Sequence, residues 1–256
     1  MRIAVQIHPQ HADWPEIVEG VKRAEGMGVD IIYNWDHFYP LYGGRDGKHF
    51  ECWTTLAAWA EITERVEIGA LVTCNSYRNP QLLADMARTV DHISGGRLIL
   101  GLGSGWFEKD YDEYGYEFGT GPSRLRDLDA AMPLINDRLA KLNPPPVRKI
   151  PILIGGGGEK VTLRIVAENA DMWHGFGDPE RFAHKNRVLD EWCTKVGRDR
   201  SEIERSAGIE NPTDAPAGDA YLEAGAQQVT LGYSGPDYSL QGVEAWVAWR
   251  DSVNAQ

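Results

Sequence analysis

Apolar, strand-like segments alternate with amphipathic, helix-like segments about eight times along this chain of 256 residues. The predicted strands are 2–7, 30–34, 66–72, 97–102, 150–154, 171–174, 206–209 and 228–232. The predicted helices are 14–27, 50–63, 79–93, 123–142, 160–169, 179–196, 220–224 and 243–253. Strands joined by helical crossovers run parallel, and eight such units are typical of a (β/α)8 TIM barrel. We therefore predict an α/β fold with one barrel domain over residues 1–256, and a doubly wound open sheet is the alternative.

Charge and cysteine content restrict the class of function. The formal net charge is −12, and no cluster of Lys and Arg forms the basic face that nucleic acids or anionic membranes require. The three cysteines, Cys52, Cys74 and Cys193, are far apart and lack the spacing of a zinc site, which predicts a reduced cytoplasmic protein without a metal. No apolar run approaches the length of a membrane span, and residues 1–7 lack the apolar core of a signal peptide.

Four consecutive glycines, Gly155, Gly156, Gly157 and Gly158, follow the predicted strand 150–154, and Glu159 and a predicted helix come next. The first turn of a helix has unpaired N–H groups and a partial positive charge, and glycine lets an anion approach the backbone closely. We predict a phosphate site here. A tight strand-to-helix turn without a ligand is the alternative, and one glycine would suffice for it.

Active sites of parallel barrels lie at the carboxyl ends of the strands, so the residues after each predicted strand are candidates. Polar and aromatic residues are concentrated there, as expected of a cofactor pocket. They include His8, Trp35, Asp36, His37, Thr73, Asn75, Gly103, Gly105, Trp106 and His174.

The pair Asp36–His37 is the best candidate for proton transfer. A carboxylate near an imidazole fixes its tautomer and raises its basicity. A strand end with a hydrogen-bonded histidine is the alternative.

Trp35 and Trp106 are candidates for a flat pocket wall, with core packing as the alternative. The acidic and aromatic run 110–117 predicts a solvated face, with a lid as the alternative.

Taken together, these motifs resemble the bacterial luciferase-like superfamily, and in particular its F420-dependent oxidoreductases. The resemblance covers nearly the whole chain. The matching stretches are 35–38, 68–80, 91–108 and 151–168, the last followed by Ala170-Asp171. As a set they are specific, whereas each alone is weak.

The resemblance implies a flavin or deazaflavin bound at the carboxyl-terminal mouth of the barrel. It also implies a non-prolyl cis peptide, here Leu71-Val72, that forms a bulge behind the ring system and bends it. Asp36 and His37 match residues that lie near the deazaflavin in alcohol-oxidising relatives, where they take the substrate hydroxyl proton. The implied cofactor-binding residues are Asp36, Leu71, Val72, Thr73, Asn75, Gly103, Gly105, Gly155, Gly156, Gly157, Gly158 and Glu159. Trp35, Trp106 and His174 are the candidates for the substrate pocket.

Two departures from the resemblance argue against a phosphorylated sugar as substrate. The segment 173–178 has no Lys, and Trp106 replaces an expected Glu. Three hypotheses remain. The leading one is an F420-dependent oxidoreductase that transfers a hydride to or from a small organic substrate. The others are an FMN-dependent monooxygenase and a cofactor-binding protein without catalytic activity. The resemblance also implies a homodimer.

Overall fold

Nine parallel strands form the centre of the protein in a computed structural model that describes residues 1–255 without the side chain of Pro216. Gln256, the last residue of the predicted domain, lies outside the described residues. The strands are β1 (Arg2–His8), β2 (Ile31–Asn34), β3 (Glu67–Ala70), β4 (Thr73–Cys74), β5 (Leu98–Gly103), β6 (Ile152–Gly155), β7 (Met172–Gly175), β8 (Glu204–Ile209) and β9 (Gln228–Ser234).

Helices connect the strands on the outside. They are α1 (Trp14–Gly26), α2 (Cys52–Ile62), α3 (Pro80–Ile93), α4 (Glu108–Tyr114), α5 (Gly121–Lys141), α6 (Thr162–Asn169), α7 (Pro179–Val196), α8 (Gly218–Glu223) and α9 (Val243–Asn254). Three short 3₁₀ turns lie at Asn75–Tyr77, Arg200–Glu202 and Ala215–Ala217. Helix starts carry side-chain caps where the sequence supplies them, as at Asn79, Thr120 and Asp178.

The sheet closes on itself. Strand β1 pairs with β2 and β9, and the remaining strands follow in order around the barrel. Strands β3 and β4 both pair with β5, so they occupy one position of an eight-position barrel. This is the predicted TIM barrel, and the open-sheet alternative is wrong because the β3–β5 pairing leaves no free edge.

Apolar side chains fill two layers. One lies between the strands and the helices, and it includes Ile3, Val5 and Leu100. The other lies inside the barrel, where Ala4, Tyr33, Ile99, Leu153 and Met172 are buried. The alternation of strand residues between these layers explains the continuous apolar runs in the sequence, since both faces of each strand are covered.

Two sequence predictions need correction. The predicted strand 66–72 is interrupted at Leu71-Val72, whose peptide bond is cis, as the resemblance implied. The run 110–117 is not simply a solvated face, because it includes most of α4, and Asp110 and Tyr111 are fully buried there. An acidic side chain at a buried position requires polar partners, and the site supplies them.

Candidate active site

A cavity of about 370 Å³ opens at the carboxyl ends of the strands. It lies within the size range of small-molecule sites. Its lining comes from loops after five different strand positions, which is how this fold brings distant segments together. The lining residues are Gln6, Trp35, Asp36, His37, Leu41, Tyr42, Leu71, Val72, Cys74, Tyr77, Gly103, Ser104, Gly105, Trp106, Gly155, Gly156, His174 and Phe176.

Val72 forms a bulge into this cavity, and two glycines make room for it. A Cβ placed at Gly103 would lie 2.5 Å from Val72 Cγ2, and one at Gly155 would lie 2.9 Å from Val72 Cγ1. Both distances are closer than carbon atoms can approach. The carbonyl oxygen of Leu71, on the other side of the bulge, accepts a hydrogen bond of 2.7 Å from Nε2 of Gln6. The first glycine of the predicted phosphate loop therefore has a packing role as well.

His37 is oriented by a carboxylate of α4. Its Nδ1 lies 2.7 Å from Oδ2 of Asp110, whose side chain is fully buried. Asp110 also accepts hydrogen bonds from the Phe38 backbone N–H at 3.1 Å and from the Tyr77 hydroxyl at 3.2 Å. A carboxylate with these partners accepts the Nδ1 proton, which leaves Nε2 of neutral His37 as the ring's acceptor. His37 lines the cavity and is therefore a candidate proton acceptor.

Asp36 does not orient His37, so the predicted pairing of these neighbours is wrong. Its carboxylate forms two hydrogen bonds with the Arg78 guanidinium, at 2.5 and 2.9 Å, and accepts the Cys74 backbone N–H at 2.9 Å. Arg78 in turn donates to Glu51 at 2.7 Å. Asp36 also lines the cavity, but its carboxylate holds the β4 segment, whereas the ring of His37 is held by α4.

Two further histidines of the mouth, His8 and His174, are neutral because they are buried. His8 stacks on Trp35 with a centroid distance of 4.1 Å and bonds Oγ of Ser234 through Nδ1. His174 is buried with Nδ1 2.8 Å from Oγ of Ser206. Burial lowers the pKa of both His8 and His174 to about 3, because an imidazolium loses its hydration there. His174 lines the cavity but carries no charge, and its place in a substrate pocket stays a prediction.

A lysine of α7, which the sequence analysis did not predict, lies beside the glycine loop. A Cβ at Gly157 would lie 3.8 Å from Cε of Lys185, which is on α7. Lys185 Nζ donates to Glu159 at 2.6 Å, and His184 lies 3.0 Å from the same carboxylate oxygen. Helix α6 begins only at Thr162, two residues later than predicted. An anion at this loop would meet backbone N–H groups of the loop and one ammonium group from α7.

The cavity brings together most, but not all, of the predicted site residues. Trp35, Trp106 and His174 line it, as do the first two glycines of the loop. Five predicted site residues lie outside its lining, and these are Thr73, Asn75, Gly157, Gly158 and Glu159. Asp110, Gln6, Arg78 and Lys185 were missed. A period of about 3.6 in the run after Trp106 would have indicated α4 and hence a buried face at Asp110.

Residues 1–255 show neither a metal-binding cluster nor a membrane-spanning helix. No group of three or more His, Cys, Asp and Glu side chains in this range is arranged to hold a metal ion. None of the helices in the described part of the chain is both long and apolar enough to cross a membrane.

A closed parallel barrel with a polar and aromatic cavity at its carboxyl-terminal mouth defines the class of TIM-barrel proteins with a ligand site in the strand-to-helix loops. Within that class, the chain belongs to the luciferase-like monooxygenase family, whose model matches residues 1–245.

The chain is also similar in sequence to proteins named as F420-dependent enzymes. It is 29% identical over 210 residues to the "F420-dependent glucose-6-phosphate dehydrogenase" of Microbacterium testaceum, covering 74% of this chain and 61% of that one. The chain thus spans about three fifths of the length of this relative, and 49% of a second relative of the same name.

Two solved structures share the fold. An F420-dependent secondary alcohol dehydrogenase in complex with an F420–acetone adduct has a TM-score of 0.83 at 17% identity, covering 95% of this chain and 96% of that chain. The monooxygenase RslO1 from Streptomyces bottropensis has a TM-score of 0.72 at 14% identity, covering 98% of both chains. Because both kinds of enzyme share the architecture, the fold does not distinguish between the two kinds of chemistry.

Proposed function

We propose that the protein is an F420-dependent oxidoreductase that transfers a hydride between the deazaflavin and a small hydroxyl- or carbonyl-bearing substrate. The observation that carries this proposal is the contact between His37 and buried Asp110 at the edge of the cavity. A non-catalytic cofactor-binding protein would need the loops and the bulge, but it would not need an imidazole held as a proton acceptor. The name of the sequence relative supports the choice of F420.

The cavity fits a flat ring system with an anionic tail. Val72 forms a half-buried apolar surface against which a ring could pack, and Gly103 and Gly155 leave the space that its side chain needs. Leu71 and Trp35 extend the apolar wall. Lys185 and the backbone N–H groups of Gly157 and Gly158 would hold the anionic tail, since the Gly156 N–H already donates to the His174 carbonyl. Glu159 would share the lysine with the tail.

When bound, the deazaflavin supplies a carbon centre that accepts or donates a hydride. In the oxidising direction, Nε2 of His37 would take the hydroxyl proton of a substrate alcohol as the C–H hydride departs, and the C–O bond would become a carbonyl. Asp110 stabilises the imidazolium that forms. In the reducing direction the same imidazolium returns the proton. The alcohol loses two electrons and two protons in total: the hydride accounts for both electrons and one proton, and His37 takes the second proton.

Binding and turnover test this proposal separately. The purified protein would be titrated with F420 and with FMN while intrinsic tryptophan fluorescence is followed. We expect F420 to bind about tenfold or more tightly than FMN, a difference of about 1.4 kcal/mol. Anaerobic reduction of F420 by an alcohol should then follow. Tight FMN binding without any response to F420 would overturn the cofactor assignment.

The FMN-dependent monooxygenase is the second candidate, and the structural similarity to RslO1 supports it. It predicts that reduced cofactor is consumed only when oxygen is present. A Clark electrode would detect oxygen uptake that depends on the organic substrate. Substrate-dependent hydride transfer in the absence of oxygen would exclude this candidate.

We further propose that residues 1–256 form one domain and that the protein is a homodimer. An apolar groove between α2 and α3 supports the second point, since Leu82 is 55% exposed and Ile93 is 42% exposed beside it. Leu82→Glu should shift the protein from dimer to monomer in light scattering. A wild-type monomer would contradict the proposal.

A further inference from the structure

Large aromatic side chains stand exposed around the mouth of the cavity. Trp106 is 64% exposed, Phe176 is 63% exposed and Tyr42 is 60% exposed, and all three line the cavity. Exposing rings of this size to water is unfavourable unless a ligand covers them. They come from loops after β5, β7 and β2, so they surround the opening from different sides.

Each exposed ring rests on an inner ring. Trp106 meets His37 edge-on at 5.9 Å, and Phe176 meets His174 edge-on at 4.7 Å. Tyr42 is tilted against Trp35 at 5.9 Å. The outer rings are thus held above the reacting centre, at a distance where they would contact the part of a substrate that extends away from His37.

A second chamber of about 310 Å³ adjoins the cavity. Both chambers are lined by Gln6, Tyr42, Leu71, His174 and Phe176. None of the described residues that line either chamber is Lys or Arg. The second chamber carries one acidic side chain, Glu210, and its histidines, His8 and His174, are neutral. A phosphate ester in this space would find no cation and would be repelled by a carboxylate.

From this arrangement we infer the substrate class of the proposed hydride transfer: an uncharged alcohol, or the corresponding ketone, whose carbon skeleton carries an apolar ring. The hydroxyl or carbonyl group lies at His37, and the ring packs among Trp106, Phe176 and Tyr42. This inference rests on the proposed function for its chemistry and on the exposed rings for its selectivity. It separates this protein from the sugar-phosphate activity in the name of its sequence relative.

The experiment compares three substrates with the F420-loaded protein: 1-phenylethanol, propan-2-ol and glucose 6-phosphate. We expect kcat/KM to be about tenfold or more higher for 1-phenylethanol than for propan-2-ol, since added apolar groups in a fitting pocket give discrimination of this size. Glucose 6-phosphate should show no turnover. Turnover of glucose 6-phosphate above that of 1-phenylethanol would overturn the inference while leaving the proposed hydride transfer intact.

A variant pair tests the role of the rings. Trp106→Ala should remove most of the preference for 1-phenylethanol over propan-2-ol, and Trp106→Phe should keep it. Leu134→Ala, an exposed apolar residue on α5 outside the cavity lining, is the control and should change nothing. If Trp106→Ala weakens F420 binding and leaves the substrate preference unchanged, the ring covers the cofactor and the inference is wrong.

Calorimetry gives a readout that does not depend on turnover. Acetophenone should bind the F420-loaded protein with a negative heat-capacity change, because apolar surface is buried, and phenyl phosphate should not bind. If acetophenone binds in this way but no alcohol is oxidised, the proposed function fails and the pocket selectivity stands. If phenyl phosphate binds more tightly than acetophenone, the selectivity is wrong whatever the reaction.

Discussion

Nδ1 of His37 lies 2.7 Å from Oδ2 of Asp110, although the two residues are 73 positions apart in the chain. His37 follows β2, whereas Asp110 lies on α4 after β5, and the closed barrel brings these loops together. The carboxylate is fully buried and has two further donors, so its position is determined by the protein and does not depend on a ligand.

Asp110→Asn should lower kcat by about 100-fold, within the range for loss of an oriented proton acceptor. The amide keeps the shape but not the charge that stabilises the imidazolium. The affinity for F420 should change little, and Asp110→Glu should restore part of the activity. Asp112→Asn, exposed on the same helix, is the matched control. Equal losses in both variants, or a parallel loss of F420 affinity and stability, would show that Asp110 does not act through His37.

Gly103→Ala should weaken F420 binding, because the new methyl group would lie 2.5 Å from Val72 Cγ2 and would push that side chain into the cavity. Overpacking of this kind also destabilises the fold by about 1–3 kcal/mol. The double variant Gly103→Ala/Val72→Ala should recover much of the stability. Equilibrium unfolding and F420 titration of the four proteins form a double-mutant cycle, and strictly additive effects would contradict the contact.

Asp36→Ala should destabilise the fold by about 3–5 kcal/mol, because it leaves the Arg78 guanidinium without its bidentate partner in a mostly buried position. His37→Ala should destabilise the fold less, because Asp110 keeps its two other donors, and it should abolish turnover. The measurement is the urea concentration at the midpoint of unfolding for both variants and the wild type. If Asp36→Ala unfolds at the wild-type urea concentration, Asp36 is not the structural residue that its contacts indicate.

Stability should fall as the pH drops below 6.5. The pKa of His174 is lowered by burial from 6.5 to about 3, so the unfolded chain binds a proton that the folded protein excludes. This contribution to stability is fully present above pH 6.5 and is lost as the pH falls toward 3, by up to about 1.4 kcal/mol per pH unit. The lowered pKa of His8 also reduces the free energy of unfolding as the pH falls.

His174→Asn keeps a group near Nδ1 to bond Ser206, and it should make the loss of stability between pH 6.5 and 4.5 shallower. His92→Gln, at an exposed position on α3, is the control. The measurement is the free energy of unfolding in urea at several pH values. Identical slopes for His174→Asn and wild type would refute the linkage.

Much of the architecture was predictable from the order of residues. The continuous apolar run 150–154 and the alternation of strands with amphipathic helices depend on local periodicity and on burial of both sheet faces. The positions of the mouth residues followed from the rule that sites lie at strand ends, which placed Trp35, His37 and Trp106 correctly around one cavity.

The pairing of charged groups was not predictable in the same way. Asp36 is next to His37 in sequence, but it bonds Arg78, and the partner of His37 is Asp110. Run 110–117 has the composition of a surface, and although its helical period indicates a buried face, only the packing shows that Asp110 contacts His37. Side-chain partners are chosen by distance in space, and closure of the barrel sets those distances.

The sequence by itself therefore determined the barrel, the end at which the cavity opens and the residue types available there, because these follow from local patterns. Only the tertiary structure decided that Gly103 and Gly155 make room for Val72 and that Asp110 orients His37. It also decided that exposed rings surround a mouth whose described lining residues include no Lys or Arg. These relationships join residues from separate loops, and no local pattern encodes the distance between them.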